Sequence, residues 1–144
     1  MKKRNILITL AIIFVIGLIG GSYGLYLFFK KHKDLSKEKP DFQLTATALS
    51  SEFEANETEA SKKYIDKVVE VNGPVESIEM GSDSTINVTL KEAGATSGVI
   101  CAFQGRGIND VKVKKGDIAI IRGECSGFLF DVLLNNCVLA GKAE

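Results

Sequence analysis

The chain is poor in the residues that most often carry chemistry. In 144 residues it has no tryptophan, three cysteines and one histidine, His32. One histidine is a weak start for a metal site, which draws three or four ligands from His, Cys, Asp and Glu. It also leaves a cysteine nucleophile without the neighbouring base that such chemistry needs. No Cys-x-x-Cys pair occurs among Cys101, Cys125 and Cys137, which argues against a zinc ribbon and a thioredoxin-like centre. No cysteine lies near the amino terminus, so a lipid-modified lipoprotein start is excluded. The one glycine-rich stretch, "GRGIND", lacks the spacing and the Lys-Ser/Thr ending of a phosphate-binding loop. The reading is therefore of a protein that is not an enzyme, with no cofactor and no metal.

Charge is missing in one place only. From Ile6 to Phe29 the stretch "ILITLAIIFVIGLIGGSYGLYLFF" has none, while Lys2, Lys3 and Arg4 stand in front of it in a basic tail, residues 1–5. As a helix these residues rise about 1.5 Å each, roughly 36 Å in all, enough to cross a hydrocarbon core of about 30 Å. A cleaved signal peptide would have a shorter apolar run, of about 7 to 15 residues, and small side chains after it. Here the run ends in "YGLYLFFKKHK". Residues 6–29 are thus expected to be an uncleaved single-pass anchor in the lipid bilayer, with Tyr23, Tyr26, Phe28 and Phe29 as an interfacial belt.

Acidic residues are also absent from residues 1–33, which hold six of the eighteen basic ones. Residues 34–144 therefore carry twelve basic against eighteen acidic side chains, a formal −6 beneath an overall balance of zero. An acidic soluble part argues against nucleic-acid binding, which rests on neutralising phosphates. For the side of the membrane two arguments oppose each other. Lys30, Lys31, Lys33, Lys37 and Lys39 after the anchor outnumber the three basic residues before it, favouring a cytosolic domain. The short basic tail resembles the segment that ordinarily stays inside, and on that ground the soluble part is expected to be extracytoplasmic. Residues 30–46, charged and broken by Pro40, read as an extended linker holding the domain off the bilayer.

The domain, residues 47–144, opens on a helical pattern. Leu49, Phe53, Ala60 and Tyr64 keep to one stripe, which predicts one helix over 48–66 with its glutamates and lysines solvated. After Lys67 the period becomes two. Val69, Val71, Gly73 and Val75 oppose Glu70, Asn72, Pro74 and Glu76 in a first strand; Ile86, Val88 and Leu90 oppose Asn87 and Thr89 in a second; Val99, Cys101 and Phe103 share one face of a third. A fourth strand is read from "DIAIIRGEC" and a fifth from "FLFDVLLNNCVLA", with a glycine-flanked turn around Cys125 and a loop with a short helical turn between the third and fourth. Five short strands interrupted there have the order of an OB-fold, a partly open Greek-key barrel. The fold class is mainly β: a five-stranded OB-fold barrel preceded by a capping α-helix and one amino-terminal transmembrane helix.

Several stretches then resemble a known family. Asn56, Ala60 and Tyr64 in an Asn-x-x-x-Ala-x-x-x-Tyr helix, Val71, Gly73 and Val75 in the first strand, and Gly123, Cys125, Gly127, Asn136 and Cys137 near the end resemble the tRNA-anticodon-binding-like OB-fold family over about residues 47–141. These are small bacterial proteins, commonly tethered at the amino terminus, whose activity is generally unassigned. The residues alone leave the cysteines open between one disulfide plus a buried thiol and three small core residues. The resemblance implies a Cys125–Cys137 disulfide.

Phe103, Phe128 and Phe130, with Arg106, Arg122 and the lysines of "VKVKKGD", are the stacking and basic groups that a single-strand binder would need. They do not interleave, and Phe103 shares the inward parity of Val99. The functional reading is a non-catalytic binding or assembly module with a protein or carbohydrate ligand against the second and third strands or the loops beside them. Asn87, Thr89, Arg106 and Arg122 are the ligand-face candidates. The alternative is a single-stranded nucleic-acid-binding domain on the cytosolic face.

Overall fold

The uncharged stretch forms α1 (Lys2–Phe28), in which Lys3–Tyr26 has a mean hydropathy of 2.4 and none of its side chains is buried against protein. A helix apolar all round and uncovered by protein suits lipid, not a packed core. This computed structural model describes residues 2–28, 34–105 and 110–143, with backbone alone at Lys2, Leu27 and Phe28. Phe29, Lys30, Lys31, His32, Lys33 and Arg106 lie outside the described residues, as does the side chain of Phe28. The chain divides into two compact units, residues 1–33 and 34–144.

The second unit is a closed barrel organised by one long strand. After β1 (Phe42–Thr45), α2 (Ala46–Ala55) and α3 (Glu57–Tyr64) comes β2 (Val68–Met80), followed by β3 (Ile86–Leu90), β4 (Val99–Phe103), β5 (Ile118–Leu129) and β6 (Asp131–Ala143). The first half of β2, Val68 to Pro74, pairs antiparallel with β5; its second half, Val75 to Met80, pairs antiparallel with β3. β3 continues to β4, β4 runs parallel to β6 over Val99–Cys101, and β6 returns to β5. The five strands β2-β3-β4-β6-β5 therefore close on themselves, in the OB-fold order that the alternation predicts. β1 adds in parallel along Val69–Asn72, so the half of β2 that faces β5 is paired on both edges.

Period-two burial puts the expected side chains inside. Val69, Val71, Val75, Ile86, Val88, Leu90, Val99, Cys101 and Phe103 are all buried. Ala119, Ile121, Cys125, Val132, Leu134 and Cys137 complete the inner wall, and Leu49, Phe53, Ala60 and Tyr64 seal it from the helices. Burying a ring such as Phe53 contributes about 2–3 kcal/mol.

The helical segment differs from its expectation. It is two helices, because Asn56 at φ −159° and ψ 90° is extended; its N–H donates to Glu52 O, ending α2, and its side chain accepts from Glu59 N, starting α3. Such caps contribute about 1 kcal/mol each. The apolar stripe survives because both helices turn it to the same core. Between β4 and β5 no described residue is helical, and Val111 and Val113 are buried between exposed lysines.

A second difference lies at the glycine-flanked cysteine. Residues 123–127 are not a turn: β5 runs on to Leu129, and the hairpin reverses at Phe130. Gly123 is required by space, since a Cβ there would lie 2.6 Å from Cys137 Sγ and 3.1 Å from Asn135 O. Gly127 has open space around it but a φ of +155°, at a register shift that bends the strand.

The third difference is the linker, which is not a free spacer from Asp34 onward. Leu35 is fully buried with Val68 and Val138, and Phe42–Thr45 have become a strand. Arg122 holds this segment down. Its Nε and Nη2 donate to Glu70 Oε2 at 3.0 and 2.6 Å, and its Nη1 donates to the carbonyls of Leu35 at 3.0 Å and Glu38 at 2.6 Å. Glu70 accepts from Gln43 Nε2 with its other oxygen.

Two substitutions test this packing. Arg122→Ala leaves a mostly buried carboxylate and two carbonyls without their donor, with an expected cost of about 2 kcal/mol in urea denaturation. Trypsin should then cut faster after Lys37; unchanged cleavage would show that the guanidinium does not hold the segment. Gly123→Ala should cost about 1–3 kcal/mol by overpacking, and the loss should shrink when Cys137→Ala is made with it.

Candidate functional site

The outward rows of the barrel wall are fixed by register. Ser77 on β2, Thr89 on β3, Ile100 on β4 and Leu133 on β6 form one cross-strand row; Glu79, Asn87 and Ala102 form the next. All seven are half-buried except Glu79, which is exposed. Neither row contains an aromatic ring or a cation. The structure thus brings Asn87 and Thr89 together on one small, uncharged to weakly acidic surface.

The remaining candidates fall elsewhere. Arg122 lies on β5 opposite Glu70, only 16% exposed, with its donors spent on Glu70 and the 35–38 carbonyls. It is a structural clamp and not part of the Asn87 and Thr89 surface. A cavity of about 280 Å³ beside its partner is lined by Gln43, Leu44, Thr45, Glu70, Asn72 and Ile120. Phe103 is buried, Phe128 is half-buried with its ring stacked on Phe53 at 5.5 Å, and Phe130 is 89% exposed. The lysines at 112, 114 and 115 are exposed, and none of them lines the cavity that holds Phe128 and Phe130. A cavity of about 580 Å³ near the β3–β4 loop has mixed charge, from Glu76, Glu92, Lys91 and Lys115.

The perturbed titrations have structural causes. The Lys63 ammonium, 2.8 Å from Glu52, holds that carboxyl below its usual range, and Tyr64 Oη donates to the same oxygen at 2.8 Å. Burial pushes the Tyr64 phenol up. Together these three tie α3 to α2. Lys142 and the Lys114 N–H lower Asp117 in the same way. Among the described residues no cluster of His, Cys, Asp and Glu could hold a metal ion.

The cysteines are packing groups. All three are buried free thiols, so the Cys125–Cys137 bridge implied by the resemblance is not formed in the structure. Burial pushes Cys125 up to about 11. Burial and the neighbouring Cys101 thiol push Cys137 well up, and its Sγ donates to Leu134 O at 3.3 Å. Thiolate is the reactive form, and these sites suppress it. Iodoacetamide at pH 8 should therefore leave the folded chain unlabelled and modify three thiols once urea unfolds it; a bridge formed in the cell would leave one. Because the folded pKa of Cys125 lies above that of a free thiol, near 9, its stabilising share is complete below pH 9 and is lost as pH rises towards 11. The urea midpoint should fall across that window, and less steeply in Cys125→Ala.

Sequence reasoning named Phe130 as one of three stacking candidates but missed its place at the hairpin turn, and it missed the part played by Arg122. Parity would have placed Phe128 and Phe130 on one side of a strand, but it carries no sign of a reversal at a single residue.

Known proteins bear on this geometry in two ways. A solved structure from Klebsiella pneumoniae subsp. pneumoniae, described as a "putative nucleic acid-binding lipoprotein", is similar in fold at a TM-score of 0.60 and 21% identity, over 72% of this chain and 100% of its own. No curated protein matches the chain. The model of the tRNA_anti-like family matches residues 1–139, which takes in the barrel strands, the split helix and the apolar amino terminus. The chain belongs to the tRNA_anti-like family.

Proposed function

We propose that the protein is a single-pass, membrane-anchored binding or assembly module without catalytic activity, its barrel on the extracytoplasmic side. α1 is the anchor, and a protein or carbohydrate ligand lies against the outward β3–β4 surface or the loops beside it. The observation that carries this reading is the composition of that surface: Ser77, Thr89, Ile100, Leu133, Asn87 and Ala102 offer hydroxyl, amide and apolar contacts, with Glu79 as the one charge. Such a surface suits neutral hydrogen-bonding partners. The absence of catalysis is supported by the titrations, each accounted for by a surface pair or by burial.

The second reading, single-stranded nucleic-acid binding on the cytosolic face, is favoured by the name of the Klebsiella structure. Against it stand the formal −6 of residues 34–144 and a wall without stacking rings or cations. A strand binder needs both.

The test joins side with ligand class. Protease added to intact cells, after removal of any outer layer, should cut the exposed 112–115 loop. The full chain in nanodiscs should bind oligo-dT or oligo-U more weakly than about 100 μM near physiological salt. Protection in intact cells together with tight binding that collapses between about 50 and 200 mM salt would establish the second reading instead.

A further inference from the structure

The β5–β6 hairpin turns over one residue. Leu129 and Asp131 are paired, and Phe130 alone bridges them at φ +68°. Five described non-glycine residues have positive φ; the other four are Asp66, Asp83, Ser84 and Asn136, short polar side chains. Asn and Asp in particular tolerate that conformation at little cost, whereas a bulky ring there is strained. The strain is held from below: Asp131 Oδ1 accepts from Gly98 N at 2.7 Å, and Val132 N donates to Gly98 O at 3.0 Å. Phe130 is 89% exposed and Leu129 72%, the two most exposed large apolar side chains among the described residues of the second unit.

Behind this tip lies a cavity of about 420 Å³ between the helices, the β3–β4 loop and the hairpin, lined by Glu54, Glu57, Thr96, Phe128, Leu129 and Phe130. Its charged groups are both carboxylates. Glu54 accepts a hydrogen bond from the buried Ser97 Oγ, which fixes its position, and neither Glu54 nor Glu57 has an ion-pair partner among the described residues. The cavity thus combines an apolar wall with two carboxylates that have no ion-pair partner among the described residues.

We propose that this cavity is a docking site for a segment of another protein that presents an apolar side chain next to a Lys or Arg. The apolar side chain packs against Phe128, Leu129 and Phe130, and the cation meets Glu54 and Glu57. Charge complementarity selects this occupant. Nucleic acid and anionic lipid would bring negative charge to two carboxylates, and a second copy docking through the same patch would bring four carboxylates together. The turn that carries the ring is fixed by its backbone hydrogen bonds, so the loop itself loses little freedom on binding. Thr96 of the β3–β4 loop lines the cavity but no residue of the two outward rows does, so this inference rests on the reading of a protein-binding module, and failure of the peptides would leave a ligand on those rows untouched.

The experiment uses the full chain in zwitterionic nanodiscs and fluorescent 12-residue peptides with a central Leu or Phe flanked by Lys and Arg, each paired with a twin flanked by Glu. Basic peptides should bind at least about tenfold more tightly than their twins, a difference of about 1.4 kcal/mol. Glu57→Lys should weaken them by a similar factor and reduce their salt dependence. Phe130→Gly relieves the backbone strain, so it should fold at least as stably as the native chain and still lose about tenfold in binding. No binding in the panel, or binding indifferent to Phe130→Gly, overturns the proposal. A bimane label on Phe130→Cys quenched by brominated lipid would assign the tip to the membrane, and ready disulfide cross-linking of that variant to itself would assign it to a second copy; either result overturns the proposal as well.

Discussion

The second unit depends on one strand serving two neighbours. β2 gives its first seven residues to β5 and its remainder to β3, with a register shift between Val75 and Ser77 where it changes partner. That exchange lets a five-stranded sheet curl shut with almost no open edge. Val69, Val71 and Val75 face the core in strict alternation, and the bulge before Ser77 then shifts the phase, so that Ile78, paired with Val88, is the next side chain of β2 packed against it. A straight β2 paired to one neighbour would leave an open sheet, exposing the face that Phe53 and Tyr64 now cover.

Closure also explains why the segment before the helices belongs to the domain. The half of β2 paired with β5 would show a bare edge on its other side, and β1 fills it. Once Phe42–Thr45 are tied there, the chain leading to them must cross the β2–β5 surface, where Arg122 on β5 reaches Glu70 and the carbonyls of residues 35 and 38. A guanidinium suits this junction because its planar fork can satisfy a carboxylate and several carbonyls at once, and a lysine could not. Arg122 is therefore occupied by the fold and unavailable to a ligand, although by residue type alone it had looked like a binding group.

How much was legible follows from which physical signals are local. Period-two burial is a local signal, and it placed Ile86, Val88, Leu90, Val99, Cys101 and Phe103 correctly, and with them the strand order and the barrel. The helix break at Asn56 was not seen because the stripe of Leu49, Phe53, Ala60 and Tyr64 continues across it; periodicity reports which face is apolar, not whether the backbone is continuous. The capping pattern of Asn56 with Glu59 three residues on was there to be read. The end of β5 was misjudged because glycines usually mark turns. Here Gly123 makes room for Cys137, and Gly127 absorbs a bulge inside a strand that continues. The linker was misjudged because its charge outweighs its two or three apolar anchors in any average, whereas Leu35 and Phe42 act singly. At the candidate site, parity gave the outward placement of Asn87 and Thr89; Phe130 was named only among three stacking candidates, because its place at a one-residue turn leaves no periodic signal.

The cysteines and the hairpin tip show the same logic from opposite ends. A buried thiol in an apolar wall is protonated, slow to react and useful for its volume. Cys137 lies against Gly123, where a larger side chain would not fit, and Cys101 is fully buried, so the groups that look most reactive in the sequence are packing elements. Phe130 is the reverse. A phenyl ring has no reactivity to display, and in a sequence its type alone does not tell core from surface. Held out at a positive φ by a turn that Gly98 and Asp131 lock from below, it is apolar surface that folding has not used. Apolar area left in water at a conformational cost contributes nothing to the barrel's own stability, so its value has to lie in what it meets outside the chain.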